Sequence, residues 1–369
     1  MAKRVFIIAG EVSGDLIGAQ ILRELNVKHG SDVEVFGIGG AQMLNAGLKE
    51  SFVDIAELSV MGFWEVVPKV FKFKRLISDT VRRIIFLNID EVITIDSPGF
   101  SFRVVEKLRK EFGKSGVVYT HYVAPSVWAY KPKRAQKVAR LYHNLKCILP
   151  FELPYFAKYD INSEYIGYPP LQRLESYLDF IKPDNPQRVV VITLGSRVGE
   201  VVRHANILRK AVDIISEILN EEILVVLPTF ERLARSCKLN RIFPNAIFVY
   251  DEFEKIKWLQ RADFAICKSG TNAVEISFFK IPSIVYYKTS VLSYFIIKSM
   301  SKIRFVNLIN IMSNSEVIPE FLQFDCTAEK LACKTIELLK NPVLQGAQLA
   351  KIQSIVDQMR LPSRTDLSS

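Results

Sequence analysis

The sequence predicts an α/β protein made of two doubly wound domains, each built on a parallel sheet. Short β-branched runs alternate with amphipathic stretches from the N-terminus onward, which is the pattern of βαβ units. The alternation stops in the Pro-containing segment 182–186 and restarts at Arg188. With 369 residues, the chain is long enough for two domains of ordinary size. We expect an N-terminal domain over residues 1–180, a second domain over 181–345 and a helical tail over 346–369.

The individual elements follow from the same alternation. In the first half, a helix is predicted over 15–28 and strands over 4–9, 33–38, 91–95, 116–122, 145–149 and close to Tyr165. In the second half, helices are predicted over 201–219 and 271–279, and strands over 189–193, 223–227, 246–249, 264–267 and 283–286. Ligands of open parallel sheets bind beyond the carboxyl ends of the strands. We therefore expect two such edges to face each other across a cleft and to form a two-substrate site.

The charge of the chain indicates an anionic partner, and its cysteines indicate a reducing compartment. The chain has 49 Lys and Arg against 39 Asp and Glu, a net charge of +10, which predicts nucleic acid, a phosphorylated small molecule or a membrane surface as partner. Its five cysteines are scattered and lack C-x-x-C pairs, so reduced thiols of a cytosolic protein are expected. The N-terminal apolar run is too short for a signal peptide. The sequence has no uncharged apolar run of about 18 residues, so no membrane-spanning helix is predicted.

The loop after the first predicted strand is rich in glycine. Its spacing is G-x-x-x-G-x-x-x-G through Gly10, Gly14 and Gly18, which matches neither the dinucleotide fingerprint nor a P-loop. A nicotinamide or ATP enzyme therefore loses its main support. The segment with Ser13, Gly14 and Asp15 either offers free N–H groups at a helix N-terminus to an anionic or hydroxyl-rich ligand, or is a tight turn capped by Ser13.

Two more loops of the first half carry side chains suited to chemistry. Asp96 follows the third predicted strand and precedes a Pro-Gly turn, so it either caps the next helix or acts as a general base. The loop after the fourth strand contains Ser126 and Trp128 and leads into a basic helix. This aromatic loop could hold a phosphate or a sugar ring, although a run of charge is usually a solvated face.

In the second half, the strand predicted over 264–267 is followed by a Ser-Gly-Thr turn that opens a helix. Ser269, Gly270 and Thr271 would offer backbone N–H groups to a diphosphate. Glu275, one turn later, could accept hydrogen bonds from a ribose diol or be an ordinary helix carboxylate. Arg197 would supply the compensating positive charge. The sequence contains no Asp-x-Asp pair, so a metal-bound diphosphate is not predicted and no metal ligands are assigned.

Seven short motifs are spread along the chain: AGEVSGD at 9–15, GIGG at 37–40, SVMG at 59–62, YVAPSVWA at 122–129, PFE at 150–152, GSR at 195–197 and SGT at 269–271. In order and spacing they resemble the lipid-A-disaccharide synthase family. The resemblance covers most of the chain. It implies a glycosyltransferase with two Rossmann-like domains facing a cleft, the arrangement called GT-B.

The resemblance also implies a reaction and its participants. UDP-2,3-diacylglucosamine would condense with 2,3-diacylglucosamine 1-phosphate to give the β-1,6 disaccharide of lipid A and UDP, with inversion and without a metal or other cofactor. Asp96 would be the catalytic base. A homodimer in the cytoplasm, at the inner face of the inner membrane of a Gram-negative bacterium, is expected. The residues assigned to substrate binding are Ser13, Gly14, Asp15, Ser126, Trp128, Arg197, Ser269, Gly270, Thr271, Glu275, Asn307 and Asn310.

Several positions depart from the family pattern. Gly99 and Ser101 stand where the family usually has Asp and Asn, Tyr168 where it has His, and Leu194 and Ile309 where it has Pro. These changes predict fewer polar contacts to the substrates. They imply either a slower enzyme or one that acts on altered acyl chains.

Residues 61–83 have the composition of a helix that lies in a bilayer interface. Aromatic and basic side chains alternate closely there, and each basic residue near an anionic leaflet adds about 1 kcal/mol of binding. The alternative is that the apolar side chains pack into the domain core with the lysines outward. The residues assigned to membrane contact are Phe63, Trp64, Phe71, Lys72, Phe73, Lys74 and Arg75.

Two rival functions fit part of this pattern. A nucleotide-sugar epimerase would share the two domains and the UDP site but would have no use for acyl chains. A nucleic-acid-binding or membrane-docking module would use the net charge without catalysis. Nucleic acid is not expected as a partner, because the basic runs lack the interleaved aromatic residues of single-strand readers.

Overall fold

The structure is a computed structural model that describes residues 2–55, 58, 66–112, 116–177, 180–183, 186–300 and 303–360. The contacts within the chain define two compact units, and the boundary between them lies between Pro169 and Pro170. Residues 170–177 therefore group with the second unit, whereas the sequence suggested a boundary near residue 180.

The first unit is a six-stranded, fully parallel sheet in the order β2-β1-β3-β4-β5-β6. Its strands are β1 (Lys3–Ala9), β2 (Val33–Ile38), β3 (Glu91–Ile95), β4 (Val118–Tyr122), β5 (Asn144–Cys147) and β6 (Asn162–Tyr165). Its helices are α1 (Val12–His29), α2 (Ala41–Asn45), α3 (Val66–Phe86), α4 (Pro98–Phe112), α5 (Arg134–Leu141), α6 (Leu153–Phe156) and α7 (Pro169–Gln172), the last of which crosses into the second unit.

The second unit repeats this plan, with the sheet order β12-β11-β10-β7-β8-β9. Its strands are β7 (Arg188–Thr193), β8 (Ile223–Pro228), β9 (Ile247–Val249), β10 (Phe264–Lys268), β11 (Ser283–Tyr287) and β12 (Glu320–Leu322). Its helices are α8 (Val198–Leu219), α9 (Glu231–Ser236), α10 (Leu239–Ile242), α11 (Glu252–Arg261), α12 (Thr271–Phe278), α13 (Val291–Met300), α14 (Leu308–Ser313), α15 (Ala328–Lys340) and α16 (Pro342–Met359). Short 3₁₀ turns cover Gly30–Asp32, Pro150–Glu152 and Glu175–Tyr177.

Helices cover both faces of the first sheet around β1, which explains why this strand is apolar from Val5 to its end. Val5 and Ile7 pack on the side of α1, and Phe6 and Ile8 pack on the side of α4. A parallel strand buried on both faces reads as a continuous hydrophobic run. The prediction of two doubly wound α/β domains is confirmed.

Strand register brings the predicted site residues to one edge in each unit. In the first sheet, Ala9 pairs with Ile95, so the chain leaves β1 and β3 at adjacent points, at Gly10 and Asp96. In the second sheet, Thr193 pairs with Cys267, so the loops after β7 and β10 are neighbours as well.

Candidate active site

Asp96 follows β3 directly and has an unusual backbone conformation. Its φ is +48° and that of Ser97 is +47°, both in the left-handed region that non-glycine residues rarely adopt. The Asp96 N–H donates to the Tyr122 carbonyl at 3.0 Å, and the Ser101 hydroxyl donates to the Asp96 carbonyl at 2.9 Å. Such conformations cost about 1–3 kcal/mol each and cluster at functional sites, where the surrounding structure holds them.

The surroundings of Asp96 favour its protonated form. Burial raises the pKa of the Asp96 carboxyl above its ordinary value of 3.8, and the negative charge of Glu11 raises the pKa further. Glycine is required at position 10, because a Cβ there would lie 2.2 Å from the Ser97 hydroxyl oxygen. The glycine-rich loop thus packs directly against the turn that carries Asp96. A partly buried carboxyl with a raised pKa suits a general base.

Residues 13–15 lie in the first turn of α1, whose N-cap is Glu11, so the predicted turn capped by Ser13 is wrong. One residue of this turn has a clear structural task. The Asp15 carboxylate is 4% exposed and accepts hydrogen bonds from the backbone N–H groups of Gly40, Gln42 and Met43 at 2.7–3.1 Å. It therefore caps α2, which a reading of local sequence does not reveal. Ser13 is exposed and Gly14 is buried.

The loop after β4 is held by aromatic contacts. Ser126 is exposed, whereas Trp128 is half-buried and lies edge-on to Phe151, with ring centres 5.3 Å apart. Next to it, the buried Glu152 carboxylate accepts from the N–H groups of Ile148 and Leu149 at 3.2 and 3.1 Å. Burial raises the pKa of Glu152 to about 7. These contacts fix the turn that follows β5.

A cavity of about 390 Å³ lies at the carboxyl edge of the second sheet. The predicted turn Ser269, Gly270 and Thr271 forms part of its wall. Gly195 and Ser196, from the motif at 195–197, line it as well. The sequence did not indicate the other lining residues, most of which come from the loops after β8 and β9. They include two aromatic residues that are about half exposed and two lysines: Phe230, Tyr250, Lys255 and Lys268.

Two residues predicted to bind the nucleotide lie beside this cavity without lining it, as far as the chain is described. Arg197 is exposed, and its carbonyl accepts hydrogen bonds from the N–H groups of Glu200 and Val201 in α8. Glu275 is 3% exposed and bound by two cations, with Lys255 at 2.9 Å and Arg173 as the second partner. Arg173 also pairs with Glu252 at 2.8 Å, so the carboxylate belongs to a network that ties residues just after the unit boundary to α11 and α12.

The two asparagines assigned to substrate binding are buried. The Asn307 side chain caps α14 by accepting from the Ile309 N–H at 2.9 Å. The Asn310 side chain accepts from the N–H groups of Val317 and Ile318 and donates to the Ile318 carbonyl and the Glu320 carboxylate. Both side chains therefore organise the chain that leads to β12.

The predicted membrane residues divide into two groups. Phe71 is 79% exposed, and Lys72, Lys74 and Arg75 are exposed beside it on α3. Phe73 instead packs on the core, with its ring 5.6 Å from that of Phe100, because it lies on the other side of the helix from Phe71. Phe63 and Trp64 lie outside the described residues.

Two further searches covered the described part of the chain. None of its helices combines the length and the apolar character needed to cross a bilayer. Within the same residues, no three His, Cys, Asp or Glu side chains are grouped so that they could hold a metal ion.

Structural comparison places both sheets among known two-domain proteins. A UDP-GlcNAc 2-epimerase from Neisseria meningitidis, bound to UDP-GlcNAc, superposes with a TM-score of 0.62 at 10% identity, over 96% of this chain and 98% of that one. MurG from Acinetobacter baumannii gives a TM-score of 0.56 at 14% identity, over 96% of this chain and 98% of that one. At such identities these likenesses establish the fold.

Sequence comparison is more specific. The family model described as lipid-A-disaccharide synthetase matches residues 5–366. A lipid-A-disaccharide synthase from Rickettsia bellii (strain OSU 85-389) is 40% identical over 371 residues, which cover 98% of this chain and 95% of the relative. The predicted resemblance is confirmed, and with it the prediction of a GT-B glycosyltransferase of lipid A disaccharide synthesis. The chain belongs to the lipid-A-disaccharide synthase family.

Proposed function

We propose that this glycosyltransferase condenses UDP-2,3-diacylglucosamine with 2,3-diacylglucosamine 1-phosphate, inverts the anomeric centre and releases UDP. The observation that carries the proposal is the position of Asp96. A carboxyl group stands at the carboxyl end of β3, its backbone held by Tyr122 and Ser101 and its pKa raised by burial. The family match supplies the class of reaction.

The chemistry assigned to Asp96 is proton removal from the acceptor sugar. A sugar hydroxyl has a pKa far above 7, so its attack on an anomeric carbon needs a base that takes the proton as the new bond forms. The new C–O bond forms on one face of the donor sugar while the bond to UDP breaks on the other. The electron pair of the broken bond leaves with UDP, and the acceptor proton passes to Asp96. Because the new bond forms opposite the broken one, the anomeric centre is inverted, and an α-linked UDP-sugar gives a β-linked product.

The cavity of the second unit suits the nucleotide. Phe230 and Tyr250 present half-exposed rings on which a base could stack, and Gly270 and Thr271 place the N-terminus of α12 in the wall of the same cavity. The structural relative from Neisseria meningitidis is described as bound to UDP-GlcNAc, which supports a UDP-sugar in this fold. We assign Glu275 to the ribose and Arg197 to the diphosphate. Backbone N–H groups and cationic side chains then offset the charge of UDP, and no divalent metal is required.

The first half of α3 is assigned to the membrane. Phe71 with Lys72, Lys74 and Arg75 forms an exposed aromatic and basic surface, hereafter the α3 surface. Such a surface binds anionic lipid through apolar burial and charge together. We place the enzyme as a homodimer on the inner face of the inner membrane of a Gram-negative bacterium, where acylated substrates would reach it.

Incubation with both diacylated sugars, followed by mass spectrometry of the lipid fraction, tests the proposal. The expected product is the tetraacylated disaccharide 1-phosphate, formed equally well in the presence of EDTA. Interconversion of the UDP-sugar with no disaccharide would instead indicate an epimerase. A strict requirement for a divalent ion would contradict the metal-independent account.

A further inference from the structure

Lys268 closes strand β10 at the wall of the nucleotide cavity. Its backbone N–H donates to the Thr193 hydroxyl at 3.1 Å, which fixes the end of the strand. Its side chain is 19% exposed and lines the same cavity as Ser196 and the Ser269–Thr271 turn. Lys268 therefore lies in the same cavity wall as Gly270 and Thr271, where α12 begins.

Two groups hold this ammonium in place. Nζ lies 3.1 Å from Oε1 of Glu200 and 5.4 Å from the centre of the Tyr287 ring. Glu200 itself is 9% exposed and belongs to the first turn of α8. An ammonium has three hydrogen-bond donors, and the bond to Glu200 uses one of them. A ligand in the cavity can therefore be bound without breaking the ion pair.

The backbone at Gly195 leaves room for this pair. The φ of Gly195 is +102°, a conformation that favours glycine. A Cβ at this position would lie 2.6 Å from Oε2 of Glu200 and 2.9 Å from Cδ of Lys268. Any side chain at position 195 would displace the ion pair, so the contact between Glu200 and Lys268 depends on glycine at this position.

We propose that Lys268, positioned by Glu200, binds the diphosphate of the nucleotide sugar. The inference rests on the proposed function and concerns the same site. Lys268 lines the cavity, whereas Arg197, the cation assigned to the diphosphate above, does not. A diphosphate next to the start of α12 would accept charge-assisted hydrogen bonds from Lys268 and backbone hydrogen bonds from the turn. Once the bond to the sugar breaks, the electron pair remains on a phosphate oxygen, and the ammonium stabilises that charge.

Titration calorimetry of the full chain with UDP and with uridine tests this role. Lys268→Met should weaken UDP binding about 10–100-fold, the range expected for loss of a charge-assisted hydrogen bond, and leave uridine binding unchanged. Lys268→Arg should restore most of the affinity for UDP. Glu200→Gln should give an intermediate loss for UDP, because the ammonium is kept but its anchor is weakened.

Lys257→Met is the matched control. It removes one lysine of the same unit that does not line the cavity, so UDP binding should stay at the wild-type value. Should Lys268→Met fold poorly in a thermal melt, Lys268→Gln takes its place with the same expectation, since its amide can still bond to Glu200. Unchanged UDP affinity in the folded variant, or an equal loss for UDP and uridine, overturns the inference. Disaccharide formation by the wild type is measured separately, so failure of the proposed reaction is distinguishable from failure of this assignment.

Discussion

The hydroxyl of Ser101 donates a hydrogen bond of 2.9 Å to the backbone carbonyl of Asp96. Ser101 lies in the first turn of α4 and is fully buried. The bond therefore fastens the left-handed turn after β3 to the helix that follows it. Position 101 is one at which the chain departs from the family pattern, and the structure gives serine there a definite task.

Ser101→Ala should lower both stability and activity. Loss of one buried hydrogen bond costs about 1 kcal/mol, and the freed turn would hold the Asp96 carboxyl less firmly. Ser277→Ala is a matched control, because this buried hydroxyl also donates to a backbone carbonyl, that of Ala273, at 2.7 Å. Denaturant unfolding and initial rates of disaccharide formation are compared for both variants. Equal loss of stability with unchanged turnover in both would show that the turn does not position the base.

The pH dependence of the rate reports the surroundings of Asp96. Burial, followed by the charge of Glu11, raises the pKa of Asp96 above 3.8, so the base loses its function as the pH falls through that raised value. Glu11→Gln removes the neighbouring negative charge and lowers the pKa. The acid limb of kcat/KM should therefore move to lower pH. A limb that stays in place or moves to higher pH contradicts the assignment of Glu11 as the neighbour.

Substitutions of Glu275 and Arg173 distinguish a role in nucleotide binding from a role in stability. Glu275→Ala removes the proposed ribose contact and leaves Arg173 and Lys255 without their shared partner, so both UDP affinity and stability should fall, the latter by about 1–3 kcal/mol. Arg173→Met breaks the same network and should lower stability while UDP affinity is kept. Calorimetry with UDP and thermal melts give the two quantities. Equal UDP affinity in both variants would contradict the ribose contact and show that Glu275 acts only in stabilising the fold.

The α3 surface should hold the protein on anionic vesicles. Combining Phe71→Ser with Lys72→Glu and Lys74→Glu should abolish co-sedimentation with such vesicles and spare UDP binding, while Phe73 is left in place because it packs on the core. Each basic residue contributes about 1 kcal/mol near an anionic leaflet. Lys330→Glu with Lys334→Glu on α15 is the matched change of charge in the second unit. If that control detaches the protein equally, binding depends on net charge alone.

The sequence predicted best those elements whose formation depends on residues adjacent in the chain. Strand β3 (Glu91–Ile95) was predicted at its observed bounds, since a run rich in β-branched residues ends at Asp96 and a Pro-Gly turn. Strand β12 was missed because its three residues begin with a glutamate, whereas the equally short β9 was predicted because all three of its residues are apolar. The capping of α2 by Asp15 and the ion pair of Lys268 with Glu200 join residues distant in sequence, and no local pattern encodes such contacts.

The motifs indicated only part of the cavity that we assign to the nucleotide. Ser269, Gly270 and Thr271 line this cavity, whereas Arg197 is exposed outside its lining. Lys268, at the end of β10, was read from the sequence only as part of a strand end. Which side chain enters a cavity depends on the register of neighbouring strands, here β7 beside β10. That register becomes visible only in the folded chain.

The rate of disaccharide formation by Asp96→Asn, measured together with its affinity for UDP, tests the central claim most directly. Asparagine keeps the shape of the side chain but cannot accept the proton, and general bases contribute about 10²–10⁴-fold to rates. The account predicts a loss of that size with UDP affinity unchanged, because the base acts on the acceptor and not on the nucleotide. A near-wild-type rate for Asp96→Asn would contradict it.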